Sequence, residues 1–232
     1  MAKTIAFEVY PSITTSLSSN WKEMISDIKR LNLKKICLFL TGTNMGVRKE
    51  IYIALEDSPV KTIPLVHLKN DMEAWEVKYL MKRFKTQIFN VHSRKEYEFS
   101  SSLREYSKKY ITMELTSTPI EDELHDYTGI CLDGAHVENN MLKKSLLYDS
   151  FLRCLAKYPV KVWHVSAIKK KKFFWPPTFS WEYDAHKYRD LSEFDYITKY
   201  KKYLVPIIAL ELVNPIEEQL KAKEYVTKLL TL

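Results

Sequence analysis

The sequence predicts an α/β protein that folds as a single (β/α)8 barrel, or TIM barrel, over residues 1–232. Eight short apolar runs alternate along the chain with longer segments of helical periodicity. The apolar character of the runs is nearly continuous, which is typical of parallel strands that are covered on both faces. No linker, low-complexity tract or internal repeat divides the chain. An open, doubly wound sheet is the alternative arrangement of the same elements.

The predicted strands are short and rich in aliphatic residues. They span residues 4–10, 34–40, 62–68, 86–92, 110–115, 129–133, 160–166 and 203–213. Two connections look too short for a full helix: the one after the second strand, and residues 116–128. The other connections are long enough for the helices that a barrel requires.

Apolar residues at helical spacing mark the segments between the strands. In residues 20–32 the apolar stripe is formed by Trp21, Met24, Ile25, Ile28 and Leu31. Residues 71–84 and 139–158 are predicted helices of the same kind. For the last helix, Asn214 is the predicted N-cap and Pro215 the first helical residue, followed by residues 216–230.

Composition limits the classes of protein to which the chain can belong. Apolar residues make up 46% of it, no stretch of about 18 apolar residues occurs, and the N-terminus lacks the pattern of a secretory signal. The three cysteines lie in apolar runs without a C-x-x-C pair, which is typical of reduced core thiols. We therefore expect a cytoplasmic protein without a membrane partner. The net charge of +7 is compatible with a phosphate-bearing partner.

Histidines and carboxylates stand at the ends of the predicted strands. Because the active site of a barrel forms at the carboxyl ends of its strands, these side chains should meet at one face. A lone histidine there is usually a satisfied polar residue, but five of the six histidines share this face, and one metal site of several ions explains them together. The candidate ligands are His67, His92, Glu114, Asp133, His136, His164, Asp184, His186 and Glu211.

The order of these residues resembles the endonuclease IV type of apurinic/apyrimidinic endonuclease, within the xylose isomerase-like barrels. That family carries His, His, Glu, Asp-x-x-His, His, Asp-x-His and Glu in chain order, and all nine types match here with both short spacings. Residues 129–136, GICLDGAH, are also similar to the family's G-x-C-x-D-T-C-H motif, with Gly134 and Ala135 in place of Thr and Cys. The family's H-G-x-Y-L motif is absent, because His67 is followed by LKNDM. UV-damage endonucleases resemble the chain in a similar way.

The resemblance implies a centre of up to three zinc ions that cleaves DNA at abasic or otherwise damaged sites. Manganese or iron also suits histidine and carboxylate ligands. Hydroxide held between two metals would attack phosphorus, and Glu114 and Glu211 are the implied catalytic residues. By position, the implied ligands are His67, His92 and Glu114 for the first metal, Glu114, Asp133, His164 and Glu211 for the second, and His136, Asp184 and His186 for the third.

A basic and aromatic segment, KKKKFFWPPTFSW at residues 169–181, joins two of the candidate ligands. Its lysines could contact phosphates, and its aromatic rings could stack on bases or wedge into a distorted duplex. In the alternative, the lysines are solvated and the rings pack over the barrel mouth. The predicted contacts with damaged DNA are Lys169, Lys170, Lys171, Lys172, Phe174, Trp175 and Trp181.

Two other functions stay open from the sequence. A sugar or sugar-phosphate isomerase or epimerase of the same superfamily would need only Glu114, Asp133, His164 and Glu211 around one divalent metal, with a carboxylate base to move a proton between carbons. That function leaves the other candidate ligands without a metal to bind. A non-catalytic relative would keep the barrel and bind nucleic acid or a protein through residues 169–181. The sequence does not predict an oligomeric state.

Overall fold

The computed structural model describes residues 5–15, 19–116, 118, 120–176 and 179–232, and it confirms the predicted barrel. The strands of the barrel are β1 (Glu8–Tyr10), β2 (Ser12–Thr14), β3 (Cys37–Phe39), β4 (Leu65–His67), β5 (Ile88–Val91), β6 (Ile111–Glu114), β7 (Ile130–Asp133), β8 (Val160–Val165) and β11 (Ile207–Leu210). Between β8 and β11, the strands β9 (Ala167–Trp175) and β10 (Ser180–Ala185) form a separate hairpin. The order of the barrel strands around the sheet is β1-β11-β8-β7-β6-β5-β4-β3-β2.

Pro11 divides the first predicted strand into two pieces, β1 and β2. Proline has no N–H to donate to a strand ladder, so it interrupts the pairing, although its carbonyl accepts a hydrogen bond from Cys37 N at 2.9 Å. β1 pairs in parallel with β11, and β2 pairs in parallel with β3. The two pieces therefore close the sheet into a barrel. The predicted start of this strand, Thr4, lies outside the described residues.

Helices follow most of the strands and bury their apolar faces against the sheet. Within the described ranges, the α-helices are α1 (Trp21–Arg30), α2 (Met45–Glu56), α3 (Ala74–Phe84), α4 (Arg104–Tyr110), α5 (Gly134–Leu142), α6 (Leu147–Lys157) and α7 (Ile216–Thr231). Three-ten helices span Ser101–Leu103, Leu124–Asp126 and Leu191–Tyr203. None of the helices in these ranges is long and apolar enough to span a membrane.

The connection after β3 contains a full helix, α2, so the prediction that it was too short is wrong. Asn44 caps this helix by accepting a hydrogen bond from Val47 N at 3.0 Å. Ile51, Tyr52 and Leu55 bury one face of it. An N-cap residue followed by apolar residues at this helical spacing could have identified α2 from the sequence.

Two further boundaries differ from the prediction. Residues 139–158 form parts of two helices, because the chain turns between α5 and α6 at Lys144, whose φ of 55° lies in the left-handed region. The last helix begins at Ile216, one residue later than predicted, and Asn214 makes no capping hydrogen bond. The Asn214 amide instead donates to Glu218 Oε2 at 2.6 Å.

Two hydrophobic clusters hold the fold together. The larger one lies between the sheet and the helices. The smaller one fills the inside of the barrel and consists of Tyr10, Cys37, Phe39, Leu65, Cys131, Val162 and Ala209. Its Phe39 ring meets the His164 ring edge-on, with centroids 4.8 Å apart. The inner cluster therefore packs directly beneath the polar residues at the strand ends. The three cysteines are buried and free.

Candidate metal centre

The structure brings the predicted ligands to the carboxyl end of the barrel, where the ends of parallel strands meet. His67, Glu114 and Asp133 are the last residues of β4, β6 and β7, and His92 and Glu211 directly follow β5 and β11. His164 lies in β8, and His136 lies in the first turn of α5. Asp184 and His186 lie at the end of the hairpin. The remaining histidine, His125, lies in a separate three-ten helix.

Glu114 lies at the centre of the site and is 1% exposed. Its Oε2 atom lies 2.8 Å from His67 Nε2 and 3.3 Å from His164 Nδ1. The same oxygen accepts a hydrogen bond from Asn90 Nδ2 at 2.8 Å. Its Oε1 atom lies 3.9 Å from His92 Nε2. One carboxylate of β6 therefore joins side chains that come from three other strands or their ends, β4, β5 and β8.

Glu114, Asp133, His164 and Glu211 form a group of four buried donors, here called the four-residue group. Each offers one ligand atom, and these atoms all lie within 4.8 Å of one another. Asp133 and His164 are paired residues of β7 and β8, and Glu211 Oε2 lies 3.4 Å from His164 Nδ1. Four protein donors can complete a tetrahedral site, or leave positions for water and substrate in an octahedral one.

A second group shares Glu114 with the first. His67, His92 and Glu114 also offer donor atoms within 4.8 Å of one another, and the two histidine rings meet edge-on with centroids 4.8 Å apart. A carboxylate that belongs to two groups has one oxygen available for each of two neighbouring cations.

The third predicted set is not assembled in the same way. His136 Nδ1 lies 2.9 Å from Asp184 Oδ2, and Asp184 also accepts a hydrogen bond from Ser166 Oγ at 2.8 Å. His186 instead lies near Glu211, with 3.9 Å between its Nδ1 and Glu211 Oε1. Among the described residues, no group of three donors within 4.8 Å includes His136, Asp184 or His186.

Buried polar atoms without a well-formed hydrogen bond are concentrated at this site. Within the described ranges, seven buried side-chain nitrogen or oxygen atoms lack a hydrogen bond of good geometry, and five of them belong to predicted ligands: His67 Nε2, Asp133 Oδ2, both ring nitrogens of His164, and Glu211 Oε2. Three of the five, His67 Nε2, His164 Nδ1 and Glu211 Oε2, lie within 3.4 Å of another atom of the site without such geometry. Leaving such an atom unpaired costs about 1–3 kcal/mol. A cation that these atoms coordinate would offset that cost. The four-residue group, with three carboxylates and one imidazole, fits magnesium, manganese, iron or zinc.

The carboxylates and histidines of the site shift one another's pKa values. Neighbouring acidic groups outweigh burial and raise the pKa values of His136, His164 and His186. Burial raises the pKa of Asp133 to about 7, and the three other carboxylates nearby add to the rise. Burial acts on Glu114 in the same direction, but the neighbouring His67 and His164 outweigh it and hold the pKa of Glu114 well below its usual value. Buried carboxylates need a proton, an imidazolium or a metal ion beside them.

Cys131 comes close to this site without fitting the donor set. Its sulfur lies within 4.8 Å of donor atoms of Glu114 and His164. Burial raises the pKa of the Cys131 thiol to about 12, and Cys131 belongs to the inner hydrophobic cluster. Carboxylate donors suit magnesium and manganese better than a thiolate does. Carboxylate and imidazole donors therefore define the centre.

Two residues that shape the site were not predicted from the sequence. Asn90, in β5, is fully buried and donates to Glu114. Because it precedes His92 by two residues, the two side chains leave the strand on the same face, and this spacing could have identified it. Phe39 supports His164 from below, but one apolar residue in an apolar strand carries no such signal.

A cavity of about 260 Å³ lies beside His92. In addition to His92, its polar lining consists of Thr41, Lys69, Asn70, Asp71, Tyr97 and Glu98, which suits a ligand with several hydroxyl groups. Burial lowers the pKa of His92, so its imidazole is neutral near pH 7. A cavity of this size accommodates a small molecule.

The basic and aromatic segment forms the hairpin of β9 and β10 and is not a loop. Lys169 is tied to the protein, because its Nζ lies 2.7 Å from Glu193 Oε2 and donates to the Lys187 carbonyl at 2.6 Å. The next three lysines are exposed, and so are the predicted DNA-contacting rings, which are 43–54% accessible. Contact with damaged DNA stays a prediction.

No protein-family model and no curated protein matches the chain. Solved structures of similar fold include a xylose isomerase-like TIM barrel protein from Mycobacterium smegmatis in complex with magnesium, which is 13% identical over 97% of both chains with a TM-score of 0.49. Another is a xylose isomerase domain protein from Planctomyces limnophilus, which is 12% identical over 99% of this chain and 98% of that one with a TM-score of 0.46. The 3-keto-D-glucoside 4-epimerase YcjR from E. coli is 9% identical over 97% of this chain and 100% of that one, with a TM-score of 0.45. The resemblance to the endonuclease IV family stays a prediction.

Proposed function

We propose that this chain is a divalent-metal enzyme that isomerises or epimerises a small sugar or sugar phosphate. The observation that carries this proposal is the four-residue group, in which three carboxylates and one imidazole offer donor atoms within 4.8 Å of one another at the mouth of the barrel. This set is sufficient for one ion. The third of the ligand sets implied by the endonuclease IV resemblance is present only as the pair of His136 and Asp184.

Glu114, Asp133, His164 and Glu211 would hold the metal. Three oxygen donors and one nitrogen donor favour magnesium or manganese over zinc, because zinc sites are usually richer in nitrogen and sulfur. A bound divalent ion would polarise a carbonyl or hydroxyl oxygen of the substrate. Asp133 Oδ2 and Glu211 Oε2 are buried atoms without a well-formed hydrogen bond, and they support this assignment.

Glu114 and Glu211 are the proposed proton carriers. Each presents its second carboxylate oxygen to a histidine: Glu114 Oε1 lies 3.9 Å from His92 Nε2, and Glu211 Oε1 lies 3.9 Å from His186 Nδ1. One glutamate would take a proton from carbon, and the other would return a proton to the same carbon or its neighbour. The histidines would orient the carboxylates and exchange protons with the mouth of the barrel.

The cavity beside His92 supports a small substrate. Its volume of about 260 Å³ and its polar lining, which includes Thr41, Lys69, Asn70, Asp71 and Glu98, match a small molecule with several hydroxyl groups. Lys69 Nζ lies 3.4 Å from Asp71 Oδ2 and donates to the Thr43 carbonyl at 3.0 Å, so a phosphate would have to displace Asp71 from the Lys69 ammonium. A duplex would instead have to bind across the outside of the mouth.

A second candidate function is a metal-dependent phosphodiesterase that acts on damaged DNA. The observation that favours it is the second group, because His67, His92 and the shared Glu114 would place a second cation beside the first. Two cations that share a carboxylate are the arrangement that stabilises both the attacking and the leaving oxygen of a phosphodiester. In this candidate function, His67 and His92 would also be metal ligands.

The two candidates are separated by measuring both reactions on the same metal-loaded protein. For the first, NMR would follow proton exchange with D2O at the carbons of a panel of ketoses and their phosphates. We expect exchange that Glu211→Gln slows by about 100-fold or more, and that the exposed control Glu105→Gln leaves unchanged. For the second, nicking of an abasic duplex would be followed on gels. Nicking that requires His92, without sugar exchange, would contradict the first candidate.

A further inference from the structure

The outer end of the hairpin presents a group of exposed aromatic side chains, here called the hairpin patch. It consists of Phe174, Phe179 and Trp181, which are 45%, 84% and 54% exposed. Trp175 is paired with Ser180 on the opposite face, where its ring meets Phe173. Large apolar side chains that are exposed together mark a surface that meets a partner or a membrane. The patch lies beyond the residues of the candidate metal centre, which occupy the base of the hairpin.

The strand pairing turns one face of this end away from the barrel. Phe174 is paired with Trp181, so their side chains share one face of the hairpin, and the next residue, Glu182, projects from the other. Glu182 is held against α5, where Lys143 Nζ lies 2.8 Å from its Oε1. The face of Phe174 and Trp181 is therefore the face that does not pack on α5.

Positive charge lies directly behind the patch. Lys170, Lys171 and Lys172 are exposed, and they occupy the part of β9 where the pairing register shifts between Asp184 and Glu182. The one carboxylate of this end of the hairpin, on Glu182, is already bound by Lys143. Lys170 lies near Asp190, but the exposed surface still combines aromatic rings with a net positive charge. It is complementary to an anionic surface with an apolar layer beneath it.

The arrangement of the rings favours insertion over base stacking. Phe174 meets Trp181 at 67° and Phe179 at 73°, with centroids 5.9 Å and 6.3 Å apart. Lys172 Nζ lies 5.6 Å from the Trp181 ring centroid, so it covers one face of that ring. Stacking on a nucleobase needs open, parallel ring faces. A compact edge-to-face cluster with lysines behind it suits the boundary between lipid headgroups and acyl chains.

We propose that the hairpin patch docks this protein on an anionic lipid surface. Its aromatic rings would enter the headgroup region, and Lys170, Lys171 and Lys172 would contact lipid phosphates and carboxylates. Docking of this kind requires no membrane-spanning helix. The expectation that the chain has no membrane partner considered only a span, and this proposal revises it. The proposal does not depend on the function proposed for the metal centre.

The test is binding of the full chain to vesicles. Vesicles of phosphatidylcholine with phosphatidylserine would be compared, at low salt, with vesicles of phosphatidylcholine alone, by co-sedimentation. We expect binding to the mixed vesicles, and at least about tenfold weaker binding for Phe174→Ser/Phe179→Ser, because two rings no longer leave water. The matched control is Ile53→Ser/Trp75→Ser, which replaces two exposed apolar residues far from the hairpin in sequence, in α2 and α3, that are 64% and 43% accessible. It should bind as the unaltered protein does.

A second pair of variants tests the lysines. Replacing Lys170, Lys171 and Lys172 by Glu should abolish binding to the mixed vesicles, since each cation near an anionic surface contributes about a fivefold gain in affinity. The control replaces three exposed lysines elsewhere, Lys49, Lys61 and Lys108, by Glu. Both variants have the same net charge, so a loss confined to the first assigns the effect to the hairpin.

Three results would overturn the proposal. One is no binding to mixed vesicles at low salt by protein whose circular dichroism and thermal unfolding show that it is folded. Another is an equal loss of binding in the hairpin variants and their controls. The third is patch-dependent binding of a single-stranded oligonucleotide that prevents vesicle binding, which would assign the patch to nucleic acid.

Discussion

Asp133 and His164 are register partners at the carboxyl ends of the neighbouring strands β7 and β8. Paired strands lie about 4.8 Å apart, so the backbone alone brings these two proposed ligands together. Glu114 ends β6, which is the next strand of the sheet. Three of the four proposed ligands therefore come from three consecutive strands, and the rigid barrel, more than any loop, positions them.

Removing bound metal should lower the thermal stability of the protein. A ligand that binds only the folded state at 100 times its Kd stabilises that state by about 2.7 kcal/mol, which corresponds to about 5–10 °C in Tm for a chain of this size. Calorimetry with and without EDTA measures the shift. Asp133→Asn should lose the EDTA effect, and the exposed control Glu105→Gln should keep it. An unaltered protein whose Tm does not respond to EDTA or to added manganese would contradict this prediction.

Asn90 should position Glu114 for metal binding. Its amide donates to Glu114 Oε2 at 2.8 Å, so Asn90→Leu removes a hydrogen bond while keeping similar volume. Loss of a partner that orients a ligand typically weakens metal binding by about 10–100-fold. Competition with a chromophoric chelator measures the affinity. Thr112→Val is the control, because Thr112 is equally buried in β6 but donates to the Phe89 carbonyl. Equal affinities in the two variants would mean that Asn90 only fills space.

Gly134 should be required for the close approach of α5 to β8. A Cβ atom at this position would lie 2.7 Å from Trp163 Nε1, and Trp163 is fully buried. Gly134→Ala should therefore destabilise the protein by about 1–3 kcal/mol in urea unfolding, and it should weaken metal binding because Asp133 is the preceding residue. Gly46→Ala is the matched control, since its nearest neighbour is an Asn44 side-chain atom at 3.3 Å. A neutral Gly134→Ala would show that α5 can shift freely.

Glu8 should contribute stability that depends on pH. Burial would raise the pKa of Glu8, but Lys35, Tyr10 and Lys223 outweigh burial and lower it. A carboxyl whose pKa is lowered in the folded state stabilises the fold above its unfolded pKa, and that contribution is lost as the pH falls through the folded-state pKa. The difference in unfolding free energy between the unaltered protein and Glu8→Gln should be about 0.2–1 kcal/mol at pH 7.

Urea unfolding as a function of pH checks this prediction. The difference should shrink below about pH 4.5 and vanish near pH 2–3. The exposed α7 residue Glu224 supplies the control, as Glu224→Gln should give no comparable trend. A difference for Glu8→Gln that persists unchanged into acid would show that the contacts of Glu8 do not depend on its charge.

The barrel could be predicted from the sequence because buried parallel strands leave a strong record: nearly continuous apolar runs separated by helical stripes. The failures lie where local interactions decide. Pro11 splits one strand into two because it cannot donate to the ladder. The left-handed Lys144 ends α5 inside a segment of continuous helical periodicity. The hairpin strands β9 and β10 are exposed or half-buried apart from Ala167, so they lack the apolar pattern of a buried strand.

The sequence predicted which candidate ligands stand at the strand ends, but not how their side chains group. Residue types at strand ends predict which side chains face the mouth, and the predicted nine do so. The distances that decide how they group are set by side-chain conformations and by Asn90, Phe39 and the cavity beside His92. The spacing of Asn90 to His92 could have identified Asn90, but the side-chain conformations and the contact of Phe39 with His164 do not follow from residue order.

The measurement that tests the central claim most directly is the number of metal ions per chain, by elemental analysis of protein purified without chelator. The account predicts close to one ion, which is lost in Asp133→Asn and retained in His186→Ala. Close to three ions, lost together in His186→Ala, would contradict the one-ion centre. Protein that remains free of metal after incubation with magnesium, manganese and zinc would contradict the assignment of Glu114, Asp133, His164 and Glu211 as ligands.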